Sequence, residues 1–361
     1  MTSKLFTPIS LDEVRLPNRI AVSPMCQYMA EDGSANDWHL MHYGQFSMGA
    51  AGLLILEATH VAPEGRISHR CLGLYSDENE AAIQRVADFC KAHGVAKLGI
   101  QLAHAGRKAS VHTPMEGGKP LGPNENPWPT VAPSALPFAP GWHVPAALSD
   151  EGLDRVKQQF VAAAVRAARI GFEVVELHIA HGYLLHEFVS AISNQRDDRY
   201  GGSLENRMRF PLEVFDAVRA VLPKAVACGA RITGSDWIDG GITPDEMVAL
   251  ARELKSRGCA FVDVTSGQID PRQKIPFAPG FNVEFARRAK QEAGITAMSV
   301  GMITKAQQAE RIVSDGDADM VALARGVMDD PRWAWHAARE LGAQTAYPEN
   351  YQRCHPSVWQ S

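Results

Sequence analysis

The sequence has no cysteine pair at the CxxC spacing, because its six cysteines are scattered over 361 residues. Disulfide frameworks, structural zinc sites and iron–sulfur clusters need closer or paired spacings, so we expect reduced thiols and a cytoplasmic protein. No run of 18 or more apolar residues is present, and the first eight residues lack the apolar segment of a signal peptide. Lys- or Arg-rich runs are also absent and the formal net charge is −5, which disfavours nucleic acid and anionic membranes as partners.

Apolar blocks rich in Val, Ile and Leu recur along the chain, and an amphipathic segment of helical length follows each of them. The blocks are nearly continuous, which is typical of parallel strands that are covered on both faces. Predicted strands occupy residues 19–23, 52–58, 97–103, 172–178, 226–232, 259–265, 296–301 and 319–324. Predicted helices lie near 38–50, 78–94, 151–170, 203–220, 244–257, 282–293, 304–314 and 331–341. Ser149 and Thr243, each followed by acidic residues, have the sequence of helix N-caps.

This alternation predicts a fold of the α/β class, a (β/α)₈ barrel formed by a single domain over residues 1–361. A doubly wound sheet is the alternative, but no GxGxxG motif follows any predicted strand. Two long connections, 104–150 with nine prolines and 182–209, are expected to be lids or binding loops. Polar residues lie at or just after the ends of six predicted strands, where barrels build their active sites: Cys26, Gln101, His104, His178, Arg231, Ser266, Gln268 and Arg325.

The segment from Glu176 to Tyr183 contains two histidines, His178 and His181, three residues apart at the end of a predicted strand. The pair could be half of a zinc site, although zinc requires three or four ligands. It could instead donate two hydrogen bonds to one carbonyl or anionic oxygen, or it could be purely structural. The spacing alone leaves these three interpretations open.

Two further groups of residues suggest a bound ligand. Glycines and one guanidinium follow the seventh and eighth predicted strands, at Val300-Gly301 and Ala324-Arg325, where barrels commonly bind phosphate. Gln101 and Arg231 at other strand ends would suit a flat heterocycle that becomes anionic on reduction. Arg231 could equally be a buried arginine that is paired with an Asp or Glu.

At these residues the sequence resembles the old yellow enzyme family, and within it the thermophilic-like class of FMN-dependent ene-reductases. The resemblance covers nearly the whole chain and includes several long motifs. They are Ser23-Pro24-Met25-Cys26-Gln27-Tyr28, the segment from Gly99 to Lys108, His178 to Tyr183, Asn194 to Phe210, Arg231, Val300-Gly301-Met302 and Ala324-Arg325.

The resemblance implies that FMN binds non-covalently across the carboxyl ends of the strands. FMN would then contact Ser23, Pro24, Met25, Cys26, Ala58, Gln101, His178, Arg231, Val300, Gly301, Ala324 and Arg325. His178 and His181 would hold the carbonyl oxygen of the substrate, Tyr28 would assist, and Tyr183 would donate a proton. Cys26 would tune the flavin rather than attack the substrate.

The implied reaction uses NAD(P)H to reduce FMN and then transfers hydride to the β-carbon of an α,β-unsaturated carbonyl compound. Enones, enals, quinones and nitro compounds are candidate substrates, and a homodimer or homotetramer is the expected assembly. The tail 342–361 resembles a segment that reaches a neighbouring subunit, with Arg353 as the candidate residue. A barrel metallohydrolase that uses His178 and His181 is the alternative from another class of enzyme.

Overall fold

The computed structural model describes residues 3–359, and within them the chain begins with an antiparallel hairpin. The strands in chain order are β1 (Ile9–Leu11), β2 (Val14–Leu16), β3 (Ile20–Val22), β4 (Leu53–His60), β5 (Lys97–Ala103), β6 (Val131–Ala132), β7 (Ala146–Ala147), β8 (Val174–Ile179), β9 (Ala227–Thr233), β10 (Val262–Thr265), β11 (Ala297–Val300) and β12 (Met320–Leu323). Eight of them close into a parallel barrel in the order β3-β4-β5-β8-β9-β10-β11-β12. The predicted (β/α)₈ barrel is therefore confirmed.

Helices connect the barrel strands and surround them. They are α1 (Asp37–Ser47), α2 (Asp77–His93), α3 (Asp150–Ile170), α4 (Leu184–Val189), α5 (Leu204–Val221), α6 (Pro244–Ser256), α7 (Val283–Arg288), α8 (Ala306–Ser314), α9 (Arg325–Asp329) and α10 (Trp333–Glu340). The Ser149 side chain accepts a hydrogen bond from Gly152 N–H, and Thr243 forms a reciprocal capping box with Glu246. Both predicted N-caps are confirmed, and each satisfies backbone donors that a helix leaves unpaired.

The amino-terminal end of the barrel interior is filled by apolar side chains. Leu53, Phe261, Met298 and Met320 are fully buried there, and they belong to one cluster with Leu11, Val14 and Leu16 of the β1–β2 hairpin. The hairpin thus closes this end of the barrel. Burial of these side chains stabilises the fold by removing apolar surface from water.

All eight predicted barrel strands are present, with boundaries that differ by at most three residues. The hairpin β1–β2 and the short helices α4 and α9 were not predicted, and the long connection after β5 also contains the two-residue pair β6–β7. Elements of two to six residues have too few positions to show a periodic pattern, which explains these omissions.

No helix within residues 3–359 is long and apolar enough to cross a membrane. The carboxyl-terminal tail after α10 folds back along the outside of the barrel, where Tyr347 and Tyr351 line a groove with His93 and Val95. Residues 93–95 directly precede β5, so this part of the tail lies toward the amino-terminal end of the barrel. The last two residues of the predicted tail, 360–361, lie outside the described residues.

Candidate active site at the carboxyl ends of the strands

A tight turn after β8 brings the two histidines and a tyrosine together. His181 and Gly182 both have left-handed backbone, with φ of 59° and 68°. The turn places the ring centroid of His178 5.1 Å from that of His181 and 5.1 Å from that of Tyr183. A Cβ at Gly182 would lie 2.3 Å from the carbonyl oxygen of Gln268, so only glycine fits this position.

The buried side chains of His186 and Asp236 support this turn. The N–H of Gly182 donates to His186 Nδ1 at 2.7 Å, and His186 Nε2 lies 3.1 Å from Asp236 Oδ1. Because Nδ1 accepts, the ring proton is on Nε2 and points to the carboxylate. The other carboxylate oxygen accepts hydrogen bonds from Ser190 Oγ and from the N–H of Ile242, both at 2.7 Å. Asp236 and His186 therefore fix both the tautomer and the turn.

Lys108 braces the same turn from the other side. Its Nζ donates to the carbonyl oxygens of His181 at 2.8 Å and Gln268 at 3.0 Å, and it lies 5.0 Å from the centroid of the Tyr183 ring. Burial lowers the pKa of Lys108 to about 7. The lysine thus ties the turn after β8 to the loop after β10.

The two histidines are neutral donors at physiological pH. Burial, and then the charge of Arg231, lowers the pKa of both His178 and His181 well below the usual value. His181 Nε2 lies 2.9 Å from Thr265 Oγ1, whereas His178 Nδ1 is buried without a hydrogen-bond partner among the described residues. Each neutral ring carries one N–H, so the pair can present two hydrogen bonds to a single oxygen.

The loop after β3 forms a second wall of the site. Cys26 and Tyr28 pack with Tyr183 against a small apolar cluster of Ile67, Cys71, Ala105, Ala109 and Val111. Burial, and then the charge of Glu57, raises the pKa of the Cys26 thiol. A thiol that stays protonated is a poor nucleophile. Burial therefore disfavours Cys26 as a nucleophile.

Four polar side chains form a layer across the barrel centre, on the consecutive strands β5, β8, β9 and β10. Gln101 Nε2 donates to Glu176 Oε1 at 2.7 Å, and Arg231 Nε lies 3.2 Å from Asp263 Oδ2. All four residues are buried. The structure thus confirms that Arg231 is paired with an acid, and it also places Arg231 opposite His178 in the β8–β9 register, at the edge of the site.

The residues predicted to bind phosphate line one cavity of about 340 Å³, which contains Val300, Gly301, Ala324 and Arg325. Gly301 has φ of 131°, and a Cβ there would lie 2.9 Å from both Asn282 Nδ2 and the Phe281 ring. Asn282 Nδ2 also donates to the carbonyl oxygen of Val300 at 2.9 Å. Asn282 therefore supports a backbone cradle that has no room for a side chain.

These features fit a planar heterocycle that carries a phosphate. Glu176 Oε2, His178 Nδ1 and Ser299 Oγ are buried polar atoms without hydrogen-bond partners among residues 3–359, and a ligand with donors and acceptors would satisfy such atoms. The glycine cradle and the exposed guanidinium of Arg325 suit an anion. Together with the parallel barrel, they are features of the class of barrel proteins that bind a phosphorylated heterocycle at the carboxyl ends of the strands.

Comparisons with known proteins agree with this class. The profile of the NADH:flavin oxidoreductase / NADH oxidase family matches residues 4–344. An NADPH dehydrogenase from Geobacillus sp. (strain WCH70) is 42% identical over 355 residues, which are 98% of this chain and 99% of that protein. The solved structure of morphinone reductase is 29% identical, with a TM-score of 0.78 over 97% of this chain and 92% of that chain.

A solved 2-naphthoyl-CoA reductase complex has a TM-score of 0.84 over 93% of this chain. The match covers 52% of that protein, so this chain spans about half of its length, and the 24% identity shows the fold alone.

The chain therefore belongs to the NADH:flavin oxidoreductase / NADH oxidase family, the old yellow enzyme family. It is an oxidoreductase whose cofactor is FMN and whose reductant is a reduced nicotinamide nucleotide. The resemblance, the cofactor and the class of enzyme inferred from the sequence are confirmed.

The residues that the sequence singled out fall into three groups in the structure. One contains Cys26, Tyr28, His178, His181 and Tyr183, the second is the layer of Gln101 and Arg231, and the third is the cavity of Val300, Gly301, Ala324 and Arg325. Ala58 lies opposite Gln101 in the β4–β5 register, and buried Ser23 starts the loop of Pro24 and Met25. Arg353 is exposed on the tail and belongs to none of these groups.

The sequence reasoning assigned no role to several residues of the site. They are Glu57, Lys108, Glu176, His186, Asp236, Asp263 and Asn282. Glu57, Glu176 and Asp263 interrupt otherwise apolar strands, and an acid inside such a block is a signal that could have identified them. The others lie in loops or short elements, where one sequence gives no comparable signal.

The metallohydrolase alternative has no support in the described part of the chain. No group of three or more His, Cys, Asp or Glu side chains within residues 3–359 is arranged to hold a metal ion. Arg231 and Lys108 are also close enough to the two histidines to lower the pKa of both. Positive charges beside the ligands would disfavour a bound cation.

Proposed function

We propose that this single-domain protein is an FMN-dependent ene-reductase that acts on α,β-unsaturated carbonyl compounds. FMN, reduced by NAD(P)H, would supply the hydride that adds to the β-carbon of the substrate. The observation that carries the proposal is the cluster of His178, His181 and Tyr183, in which two neutral N–H donors and one phenol converge. The relatives named NADPH dehydrogenase support NADPH as the reductant.

The histidine pair would bind the carbonyl oxygen of the substrate. Two hydrogen bonds to this oxygen withdraw electron density from the conjugated double bond, so the β-carbon becomes electrophilic. The negative charge that develops on the oxygen would then be stabilised by donors already in position, because the His186–Asp236 pair and Lys108 hold the turn.

Tyr183 would donate the proton to the α-carbon. Burial raises the pKa of its hydroxyl, so the phenol keeps its proton until the substrate takes it. Tyr28, which packs in the same cluster, would line the substrate site, and Cys26 would adjust the flavin without covalent chemistry. Proton donation by a positioned side chain commonly contributes about 10²–10⁴-fold.

Reoxidation of the NADPH-reduced holoenzyme by 2-cyclohexenone in the absence of oxygen would test this function. The flavin absorbance should return as one equivalent of cyclohexanone forms per FMN. Tyr183→Phe should be reduced by NADPH at the wild-type rate, whereas its reoxidation by the enone should be about 10²-fold slower. Flavin that stays reduced until oxygen is admitted would contradict ene-reduction and leave a simpler NADPH oxidase.

The tail is proposed to act in an assembly of at least two copies in the cytoplasm. Arg353 is exposed in the turn Glu349–Cys354, and the nearby Tyr351 lies against residues that precede β5, away from the carboxyl ends of the strands. A neighbouring subunit would therefore be the site that Arg353 reaches. Equilibrium sedimentation gives the assembly, and Arg353→Ala should raise the KM for the enone; a monomeric protein would contradict this role.

A further inference from the structure

The buried layer beneath the site contains two acids that the proposed reaction does not use. Glu176 lies two residues before His178 on β8, so both side chains point to the same side of the strand. Asp263 is paired in register with Arg231 on the neighbouring strands β9 and β10. Both carboxyl groups are fully buried, in a barrel centre where an uncompensated charge is costly.

The two acids have different partners. Asp263 Oδ2 lies 3.2 Å from the guanidinium of Arg231, whereas Glu176 Oε1 accepts a hydrogen bond from the neutral amide of Gln101 and Glu176 Oε2 has no hydrogen-bond partner among residues 3–359. Burial, and then the charge of Asp263, raises the pKa of Glu176 to about 8, and Arg231 opposes this effect. Burial raises the pKa of Asp263 as well, and the charge of the adjacent Arg231 opposes this effect. Because Asp263 is the acid that is ion-paired with the guanidinium, we assign the proton of this coupled pair to Glu176 at neutral pH.

We propose that Asp263 and Glu176 are tuning residues that set the net charge under the FMN ring, and thereby its reduction potential. The proposal rests on the placement of FMN over Gln101 and Arg231, and not on the choice of substrate. Asp263 cancels the charge of Arg231, and Glu176 adds a negative charge to the layer only when it loses its proton.

The sign of each effect follows from the charge that reduction creates. A hydride carries two electrons and one proton, so its transfer leaves one negative charge on the ring system and one positive charge on the nicotinamide. With Asp263 ionised and Glu176 protonated, the layer is neutral. Removal of the Asp263 charge exposes the full charge of Arg231 and favours reduction, whereas ionisation of Glu176 disfavours it.

Other titratable groups face Glu176 as well. They are Asp263 on β10, Arg231 on β9 and the thiol of Cys259, which precedes β10 and whose pKa is itself raised by burial and by nearby charges including Glu176. Glu176 Oε1 also accepts a hydrogen bond from the uncharged amide of Gln101 on β5. The variant Glu176→Gln removes the titration of Glu176 and leaves the side chains of Asp263, Arg231 and Cys259 in place. A comparison with the wild type therefore isolates the effect of the Glu176 proton.

The experiment compares two isosteric variants of the holoenzyme, Glu176→Gln and the double variant Asp263→Asn/Glu176→Gln. In both variants residue 176 cannot ionise in place of Asp263, so the double variant differs from Glu176→Gln by the Asp263 charge. The double variant should favour reduced over oxidised FMN by at least tenfold relative to the wild type, which is about 30 mV for a two-electron couple. Glu176→Gln should change this ratio by less than twofold at pH 7. Equal shifts in the two variants would overturn the proposal.

A pH profile of the midpoint potential tests the proton of Glu176 without the Asp263 variant. In the wild type the potential should fall more steeply with pH near 8 than in Glu176→Gln, whose layer keeps a constant charge. Coincident profiles would overturn the proposal even if the double variant fails to fold. Dye-mediated titration needs no enone, so the outcome is independent of the ene-reductase assignment, whereas loss of FMN binding by the wild type would contradict the cofactor site itself.

Discussion

The two ends of the barrel interior are built from the same strands but have opposite chemistry. At the amino-terminal end Val174 and Met298 pack in an apolar cluster with the β1–β2 hairpin. Two residues further along β8, Glu176 begins a polar layer that includes Arg231 and Asp263. The amino-terminal end is filled by buried apolar side chains and the carboxyl-terminal end carries the polar side chains of the candidate site, as is general in such barrels.

The backbone shows the same difference. Left-handed non-glycine residues occur in the loops after six barrel strands, whereas two such residues, Asp12 and Ala50, lie toward the amino-terminal end. The loop residues include Tyr28, Ser110, His181, Trp237, Gln268 and Met302. Each such conformation costs free energy and persists only where the surroundings enforce it. Strained backbone is therefore concentrated at the end where side chains must be aimed at a ligand.

The largest effect is expected from a cavity at the apolar end. Phe261 is fully buried and packs so closely on Gly229 that a Cβ at position 229 would lie 2.2 Å from the ring. Phe261→Ala should lower the free energy of unfolding by about 3–5 kcal/mol, measured by urea denaturation of the apoprotein. The FMN affinity should remain near that of the wild type, and Phe277→Ala, at a side chain that is 64% exposed, should change neither quantity. Equal losses of stability and FMN affinity would refute the separation of the two ends.

At the polar end we expect substitutions to reduce activity and to change stability little. His178→Ala or His181→Ala removes one of the two donors that we propose for the substrate oxygen, and should reduce kcat with 2-cyclohexenone by about 10²–10³-fold, or about 2.7–4 kcal/mol. The melting temperature should change little. His93→Ala, at an exposed position near the tail, is the control in steady-state assays. Wild-type kinetics in both site variants would exclude the carbonyl-binding role.

The sequence predicts the barrel well because parallel strands leave a strong signal. Blocks such as 97–103 are apolar, have the right length, and coincide with β5 as the structure has it. Polar residues at strand ends, such as Gln101 and Arg231, can be predicted to lie together because the fold brings all the carboxyl ends of the strands to one face of the barrel.

Partners that are distant in the sequence could not be predicted. Asp236 and His186 are 50 positions apart, and together they support the N–H of Gly182. Arg231 and Asp263 are 32 positions apart, so the sequence does not show which acid is paired with Arg231. Such contacts depend on side-chain geometry in the folded barrel. A single sequence does not show that geometry, so residues such as Asp236, His186 and Asp263, which support the site, are found only in the structure.

The pH dependence of stability should also distinguish the two ends. Glu57 is fully buried beside the loop of Cys26, where it accepts hydrogen bonds from Tyr43 Oη and the N–H of Gln27, and burial raises its pKa to about 7. The unfolded chain releases this proton near pH 4.5, so the contribution of Glu57 is full below that pH and is lost as the pH rises to 7.

The variant Glu57→Gln cannot titrate. Between pH 5 and pH 8 its free energy of unfolding should therefore rise relative to the wild type by about 2 kcal/mol, since one pKa unit is worth 1.36 kcal/mol. Tyr43→Phe keeps the carboxyl group but removes a hydrogen bond that lowers its pKa, so its pH dependence in urea denaturation should be at least as large as that of the wild type. A constant difference between Glu57→Gln and wild type would show that Glu57 does not titrate in this range.

The smallest expected effect concerns the buried support of the histidine turn. Asp236→Asn retains the size of the side chain but removes the charge that the His186 N–H faces, so the left-handed turn at His181 and Gly182 loses part of its support. We expect a decrease of about tenfold in kcat with the enone, or about 1.4 kcal/mol, while NADPH still reduces the enzyme. Ser190→Ala removes only the hydrogen bond from Ser190 Oγ to Asp236 and should reduce kcat less. If Asp236→Asn lowers the melting temperature and leaves kcat unchanged, Asp236 and His186 stabilise the fold and do not position the catalytic histidines. The polar end of the barrel would then contribute to stability in the same way as the apolar end.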